Sequence, residues 1–276
     1  MNDKILGYID KDTIIHRLSG TTKLISFLLL SIISMMSYDI RFLLLLTILS
    51  IICFSIAKIP YESISLVLKF VLIFSILNIL AIYIFEPEYG VGLYGSRTVI
   101  REGFGRYSLT YEQVFYELNV LIKYFVTIPL ALIFIFTTNP SEFASSLNKI
   151  GISYKISYAV ALALRYIPDI QNSYNDIRLA SQARGIEMSK KANLIDRIKA
   201  SSNIILPLIF DSLARIETIS QAMELRRFGK EKTRTWISYR PFKRIDVVAI
   251  IFTIIIFAIG IALFVVNKGR FYNPFI

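Results

Sequence analysis

Five long apolar runs constrain this chain more than any other feature of its sequence. They cover residues 24–38, 42–57, 64–85, 114–137 and 245–266. A helix needs about 20 mostly apolar residues to cross a bilayer. The runs therefore predict an all-α integral membrane protein with about five transmembrane helices, of which the first two are short and could form a tight hairpin.

The charge and the rare residues of the chain exclude several other classes. Lys and Arg number 31 against 20 Asp and Glu, a net charge of +11. On a soluble fold this excess would indicate nucleic-acid binding, but beside such apolar runs it favours orientation in a membrane. With one cysteine, Cys53, and one histidine, His16, the chain lacks the residues for an intrachain disulfide or a cysteine-based metal cluster. We assign no chemistry to either residue and expect no cofactor.

Residues 138–244 form a long basic insert before the last apolar run. They carry 18 Lys and Arg against 9 Asp and Glu, a net of +9. Because positive segments beside spans stay in the cytoplasm, we expect this insert and the N-terminus to be cytoplasmic. The predicted organisation is an N-terminal membrane domain of four spans over 1–137, with an irregular external loop over 86–113, a cytoplasmic domain over 138–244, and a last span with its tail over 245–276.

Local signals divide the insert into one short and two long amphipathic helices. Asn139-Pro140 is typical of a helix start, and the short helix is expected to end near Gly151. The first long helix is predicted from about Tyr154 to Ala183-Arg184-Gly185, with Gly185 in the left-handed position that follows many helices.

The second long helix is predicted from about Leu194 to the Phe228-Gly229 pair. A near-heptad register of apolar and small residues runs along it, and such a narrow seam packs against another helix. The expected packing residues are Ile195, Ile198, Ser202, Ile205, Ile209, Ser212, Ile216, Ile219 and Met223.

Each long helix ends with an arginine close to a chain-breaking glycine, at Arg184 and at Arg226. A single arginine there would most simply complement the helix dipole. Two such ends give a role in docking to a partner the same weight as the dipole role, because a guanidinium is always charged and presents five donors in a planar fork.

Several stretches carry a resemblance to a known family. They are His16-Arg17-Leu18, Thr22-Lys23-Leu24, Thr137-Thr138-Asn139-Pro140-Ser141-Glu142, Ala163-Leu164-Arg165-Tyr166-Ile167-Pro168-Asp169, Ala183-Arg184-Gly185 and Ala222-Met223-Glu224-Leu225-Arg226-Arg227-Phe228-Gly229. With them the chain resembles the transmembrane T component of energy-coupling factor (ECF) transporters, the EcfT/CbiQ-like family. These transporters are ATP-driven prokaryotic importers of vitamins and transition-metal ions.

The resemblance implies a coupling subunit that has no ATPase activity of its own. It would link two ABC ATPase subunits, as a homodimer or heterodimer, to a substrate-binding S component in the cell membrane. Two crossed coupling helices would each insert an Ala-Arg-Gly-like motif into one ATPase. Ala183, Arg184 and Gly185 match the first motif fully, whereas Leu225 and Arg227 replace the small residues on either side of Arg226 in the second.

Two other functions are kept as alternatives. A stand-alone permease would carry its own substrate path among the later spans, but these spans hold few polar residues. A membrane enzyme would need clustered acid, base or metal-ligand side chains near one membrane face. The charged residues Lys69, Glu117 and Lys123 lie in outer parts of apolar runs, so we expect them to snorkel to the interface.

Overall fold

The computed structural model describes residues 7–103, 107–185, 194–231, 235–237 and 239–275, with side chains omitted over 194–201. It is helical apart from one short hairpin among these residues. Its elements are α1 (Ile14–Arg17), α2 (Gly20–Met36), α3 (Ile40–Ala57), α4 (Tyr61–Phe85), α5 (Tyr89–Tyr94), β1 (Val99–Arg101), β2 (Leu109–Thr110), α6 (Tyr111–Thr137), α7 (Pro140–Lys149), α8 (Tyr154–Ala183), α9 (Leu194–Leu225) and α10 (Arg244–Val266).

These elements form two compact units. A membrane unit comprises 7–139 together with 240–275, and an insert unit comprises 140–239. Each unit has its own packing, so the two are described separately.

All five predicted apolar runs are helices in the membrane unit. Helices α3, α4, α6 and α10 are long and apolar enough to cross a bilayer, whereas α2 is apolar but has 17 residues. At 1.5 Å per residue α2 is about 25 Å long, shorter than a typical hydrocarbon core. This confirms the all-α membrane fold, with four full-length spans and one short apolar helix.

The core of the membrane unit lies where α2, α3, α6 and α10 meet. Ile33, Leu43 and Val126 are fully buried there. A Cβ atom on Gly260 of α10 would stand 2.4 Å from Cγ1 of Ile33, so only glycine permits this approach of α10 to α2. Small residues at such contacts are typical of packing between membrane helices.

The segment 86–113 is more regular than the sequence indicated. It contains α5 and an antiparallel pairing of β1 with β2. Helix α6 also begins at Tyr111, three residues before the predicted run. The Thr110 side chain accepts a hydrogen bond from the Gln113 backbone N–H, and this cap explains the earlier start.

Lys123 does not snorkel as predicted. Its side chain is buried, and Nζ donates to the Met35 carbonyl at 2.8 Å. The same ammonium lies 3.1 Å from the ring centre of Tyr38. A lysine in this position complements the C-terminal end of α2, where backbone carbonyls lack partners within the helix.

The insert unit has the predicted order of one short and two long helices. Helix α7 begins at Pro140, and Gly151, at φ +104°, follows its last turn. Helix α8 begins at Tyr154, where the Ser153 side chain accepts a hydrogen bond from the Ile156 N–H. Helix α7 packs on α8, and α8 packs on α9.

Candidate docking site at two helix ends

The first candidate site is the C-terminal end of α8. Ala183 is the last helical residue, and the Arg184 N–H donates to the Ala180 carbonyl at 3.2 Å. The Gly185 N–H donates to the Gln182 carbonyl at 3.0 Å, with Gly185 at φ +85°. The chain therefore turns in the left-handed conformation predicted for this glycine.

The end of α9 repeats this arrangement with bulkier residues. Arg227 holds the left-handed position at φ +54°, and its N–H donates to the Glu224 carbonyl at 2.8 Å. The Phe228 N–H donates to the Met223 carbonyl at 2.9 Å. These two hydrogen bonds define a Schellman motif in which Arg226 is the C-cap residue. Arg184 and Arg226 therefore occupy equivalent positions.

All six residues of the two predicted motifs are exposed. They are Ala183, Arg184, Gly185, Leu225, Arg226 and Arg227. Leu225 is 86 % exposed, which is unusual for a large apolar side chain. Both ends thus present a cation and an accessible backbone turn to the surroundings.

Contacts between α8 and α9 define the spacing of the two arginines. Arg215 donates to the Ser173 hydroxyl at 3.1 Å, and the Phe228 ring lies 4.7 Å from that of Tyr158. The helices therefore run in opposite directions. Arg184 and Arg226 each lie 11 residues beyond the Ser173–Arg215 contact, on opposite sides of it. At 1.5 Å per residue each arginine lies about 17 Å from this contact along its own helix.

The packing residues predicted on α9 fall into three groups. Ser212, Ile219 and Met223 are partly buried, whereas Ser202, Ile205, Ile209 and Ile216 are exposed. Ile195 and Ile198 lie outside the described side chains. Among the described side chains in the first half of α9, Ile204 is buried and Leu208 is partly buried. A straight α-helix drifts about 20° per heptad from a 3.5-residue repeat, so one heptad register cannot follow the contact face over the whole helix.

Sequence reasoning missed an aromatic cluster that holds the second helix end. Tyr154 and Tyr158, at the start of α8, pack against Phe228 with ring centres at 5.7 and 4.7 Å. Trp236 lies 5.4 Å from the Tyr154 ring and donates from Nε1 to Oδ1 of Asn148 at 3.3 Å. Phe228 follows the Arg226–Arg227 pair directly, so the cluster fixes the turn that carries these arginines.

Comparison with known proteins places this architecture in a family. The family of cobalt transport proteins, CbiQ, matches residues 11–236. The chain belongs to this family. The match includes both helix ends and the aromatic cluster, and it stops before α10.

Curated relatives of this CbiQ family member carry the name energy-coupling factor transporter transmembrane protein EcfT. The protein of Ruminiclostridium cellulolyticum is 25% identical over 256 residues, which are 90% of this chain and 92% of the relative. That of Limosilactobacillus fermentum is 26% identical over 267 residues, covering 93% and 96%. That of Bacillus subtilis is 24% identical over 246 residues, covering 85% and 88%. The chain is thus a multi-pass membrane component of the ECF transporter type.

Proposed function

We propose that this chain is the coupling subunit of an ECF-type importer, with Arg184 and Arg226 as its two ATPase-docking residues. The carrying observation is the pair of exposed C-cap arginines at opposite ends of two antiparallel, packed helices. Their equal spacing from the Ser173–Arg215 contact suits two similar partner subunits, either identical or homologous. The ATPases would hydrolyse ATP, and this chain would not.

The docking chemistry follows from the geometry of a helix C-cap. Each arginine stands beside carbonyls at the end of a helix, where a neighbouring groove could supply carboxylates or backbone oxygens to the guanidinium. Charge-assisted hydrogen bonds of this kind are about twice as strong as neutral ones. Ala183 and Gly185 leave space for a partner's backbone, whereas Leu225 and Arg227 require a wider or more apolar groove.

Helices α8 and α9 are suited to transmit displacement. They contain 30 and 32 residues, so each is roughly 45 Å long. Their packing against each other joins the two docking ends into one body, and movement of either ATPase would shift that body. Discrete rearrangement of packed helices is a common route for such coupling.

An exposed apolar strip on α9 is suited to contact a partner that lies in the membrane. Six large apolar side chains remain 48–62 % exposed there, namely Ile205, Leu206, Ile209, Phe210, Leu213 and Ile216. A continuous exposed apolar surface marks a contact site for protein or membrane. We infer that this strip contacts the substrate-binding S component, which would carry the vitamin or transition-metal ion.

The basic insert is proposed to lie in the cytoplasm with its ATPases, as its net charge of +9 favours. The rival function is a stand-alone permease. A cavity of about 350 Å³ opens between α4 and α6, and it is lined mainly by apolar side chains with Lys69 and Ser75 among them. Such a lining offers few ligands to a polar solute, so we favour the coupling role.

The decisive experiment is copurification of the full chain with the two ABC ATPases of the same organism. Arg184→Glu combined with Arg226→Glu should abolish association with the ATPases. The matched control combines Arg165→Glu with Arg178→Glu, which makes the same charge change at exposed positions of α8 away from its end. Retained association in the first double variant, or equal loss in the control, would overturn the docking role.

A further inference from the structure

A polar cluster in the membrane unit lies where the chain leaves for the insert and returns from it. The chain leaves the membrane unit after Asn139 and re-enters it at Arg240. Thr137, just before the exit, and Asp246, just after the return, both bond to the segment between His16 and Lys23. The docking function does not use these residues.

Asp246 joins the N-terminal ends of two helices. It is fully buried, and its Oδ1 accepts hydrogen bonds from the Ser19 backbone N–H at 2.7 Å and the Thr22 hydroxyl at 2.9 Å. Its Oδ2 accepts from the Lys243 N–H at 2.8 Å. Ser19 is the N-cap residue of α2 and Lys243 is that of α10. One carboxylate thus complements the positive ends of two helix dipoles.

Lys23 makes the matching connection to α6. It is 6 % exposed, and its Nζ donates to the Thr137 carbonyl at 2.6 Å and to the His16 carbonyl at 3.4 Å. Thr137 is the last residue of α6, where a cation complements the negative end of the helix dipole. Arg240 donates to the same His16 carbonyl at 3.0 Å.

We infer that Lys23 and Asp246 are positioning residues. They bind both chain connections of the insert to one segment of the membrane unit, residues 16–23. The inference rests on the proposed coupling function and adds a site to it. Because the exit from α6 and the entry into α10 are bonded to the same segment, displacement of the insert moves α2, α6 and α10 together. Helix α4, which packs chiefly along α6, is left outside this group.

The test measures movement inside the membrane unit and needs no transported substrate. Spin labels are placed at Glu62→Cys on α4 and Val247→Cys on α10, both exposed, in a Cys53→Ala background. The full chain is assembled with its ATPases, and the distance between the labels is measured by pulsed electron resonance with and without ATP and vanadate. We expect an ATP-dependent change in the distance.

The variants Asp246→Asn and Lys23→Met should remove this change while ATPase copurification and hydrolysis persist. An amide at position 246 has only one acceptor oxygen, so its NH₂ group would face the backbone N–H of either Ser19 or Lys243, and one of the two helix ends would lose its acceptor. Controls are Thr253→Val, which removes a hydroxyl contact between the same two helices, and Arg17→Met, which removes an exposed charge with its ion pair to Asp12 six positions before Lys23. If the Asp246→Asn protein cannot be produced in folded form, Thr22→Val removes one hydrogen bond to Asp246 and serves the same test.

The outcomes separate this inference from the docking proposal. Loss of the distance change in Asp246→Asn and Lys23→Met, with hydrolysis retained and the controls unchanged, supports the inference. An unchanged ATP response in Asp246→Asn, Lys23→Met and Thr22→Val overturns it, as does a wild-type complex with no response or an equal loss in the controls. Failure of the unsubstituted chain to copurify with its ATPases would overturn the docking proposal instead.

Discussion

The ends of α8 and α9 adopt the same backbone conformation, but different interactions stabilise it. Both place an arginine at the C-cap and a left-handed residue directly after it. At the end of α8 the left-handed residue is Gly185, which adopts this conformation at little cost. At the end of α9 it is Arg227, for which the conformation is unfavourable.

The difference shows that a helix end can be specified locally or by tertiary contact. Gly185 specifies the first end through its own conformational freedom. The second end depends on Phe228, which the aromatic rings of Tyr154 and Tyr158 hold in place. Exposed Leu225 and Arg227 also make the second end larger. We therefore expect the two ends to respond differently to substitution and to fit different grooves.

Single charge reversals should give the largest effects and test whether both ends are used. Arg184→Glu and Arg226→Glu should each weaken ATPase association at least tenfold, because a charge-assisted hydrogen bond contributes roughly 1.5–3 kcal/mol. Titration of the purified full chain with each ATPase measures the change. If the ATPases differ, each reversal should affect one of them more. An effect confined to Arg184→Glu would restrict docking to the first end.

Removing the Phe228 ring should disorder the second end alone. Phe228→Ala leaves a gap among Tyr154, Tyr158 and Trp236, and because Phe228 is only partly buried we expect a loss of about 2 kcal/mol in local stability. Hydrogen exchange of the full chain should then rise at residues 222–229. Residues 180–185 provide the internal control, and Phe228→Leu should have a smaller effect. Equal acceleration at both ends would contradict separate anchoring.

These contrasts show which parts of the site the sequence could reveal. The apolar runs predicted the membrane helices, and Pro140, Gly151 and Gly185 marked helix boundaries, because each signal acts within a few residues of itself. Membership of the aromatic cluster could not be predicted, since Tyr154 and Trp236 are 82 positions apart. Burial of Ile204 could not be predicted either, because it depends on how α9 meets its neighbours.

A side chain on Gly185 should destabilise the first end. Gly185→Ala places a Cβ atom in the left-handed region, which costs roughly 1–2 kcal/mol for a residue other than glycine. No atom lies within 4 Å of that Cβ position among the described residues, so backbone strain is the expected cause. Hydrogen exchange at 180–185 and ATPase titration measure the effect. Gly95→Ala, at φ +72° and also without close neighbours, is a control for strain outside the docking site.

The reverse change at the second end should give the smallest effect, with the opposite sign. Arg227→Gly relieves the left-handed strain at φ +54°, but it also increases the entropy of the unfolded chain, so we expect a net gain of up to about 1 kcal/mol. Slower hydrogen exchange at 222–229 would show it. Combining this change with Leu225→Ala converts the second end to an Ala-Arg-Gly sequence. If the ATPase groove fits only small residues, the double variant should bind as well as or better than the natural chain. Weaker binding would show that Leu225 and Arg227 contribute contacts of their own, and that the two ends are matched to two different grooves.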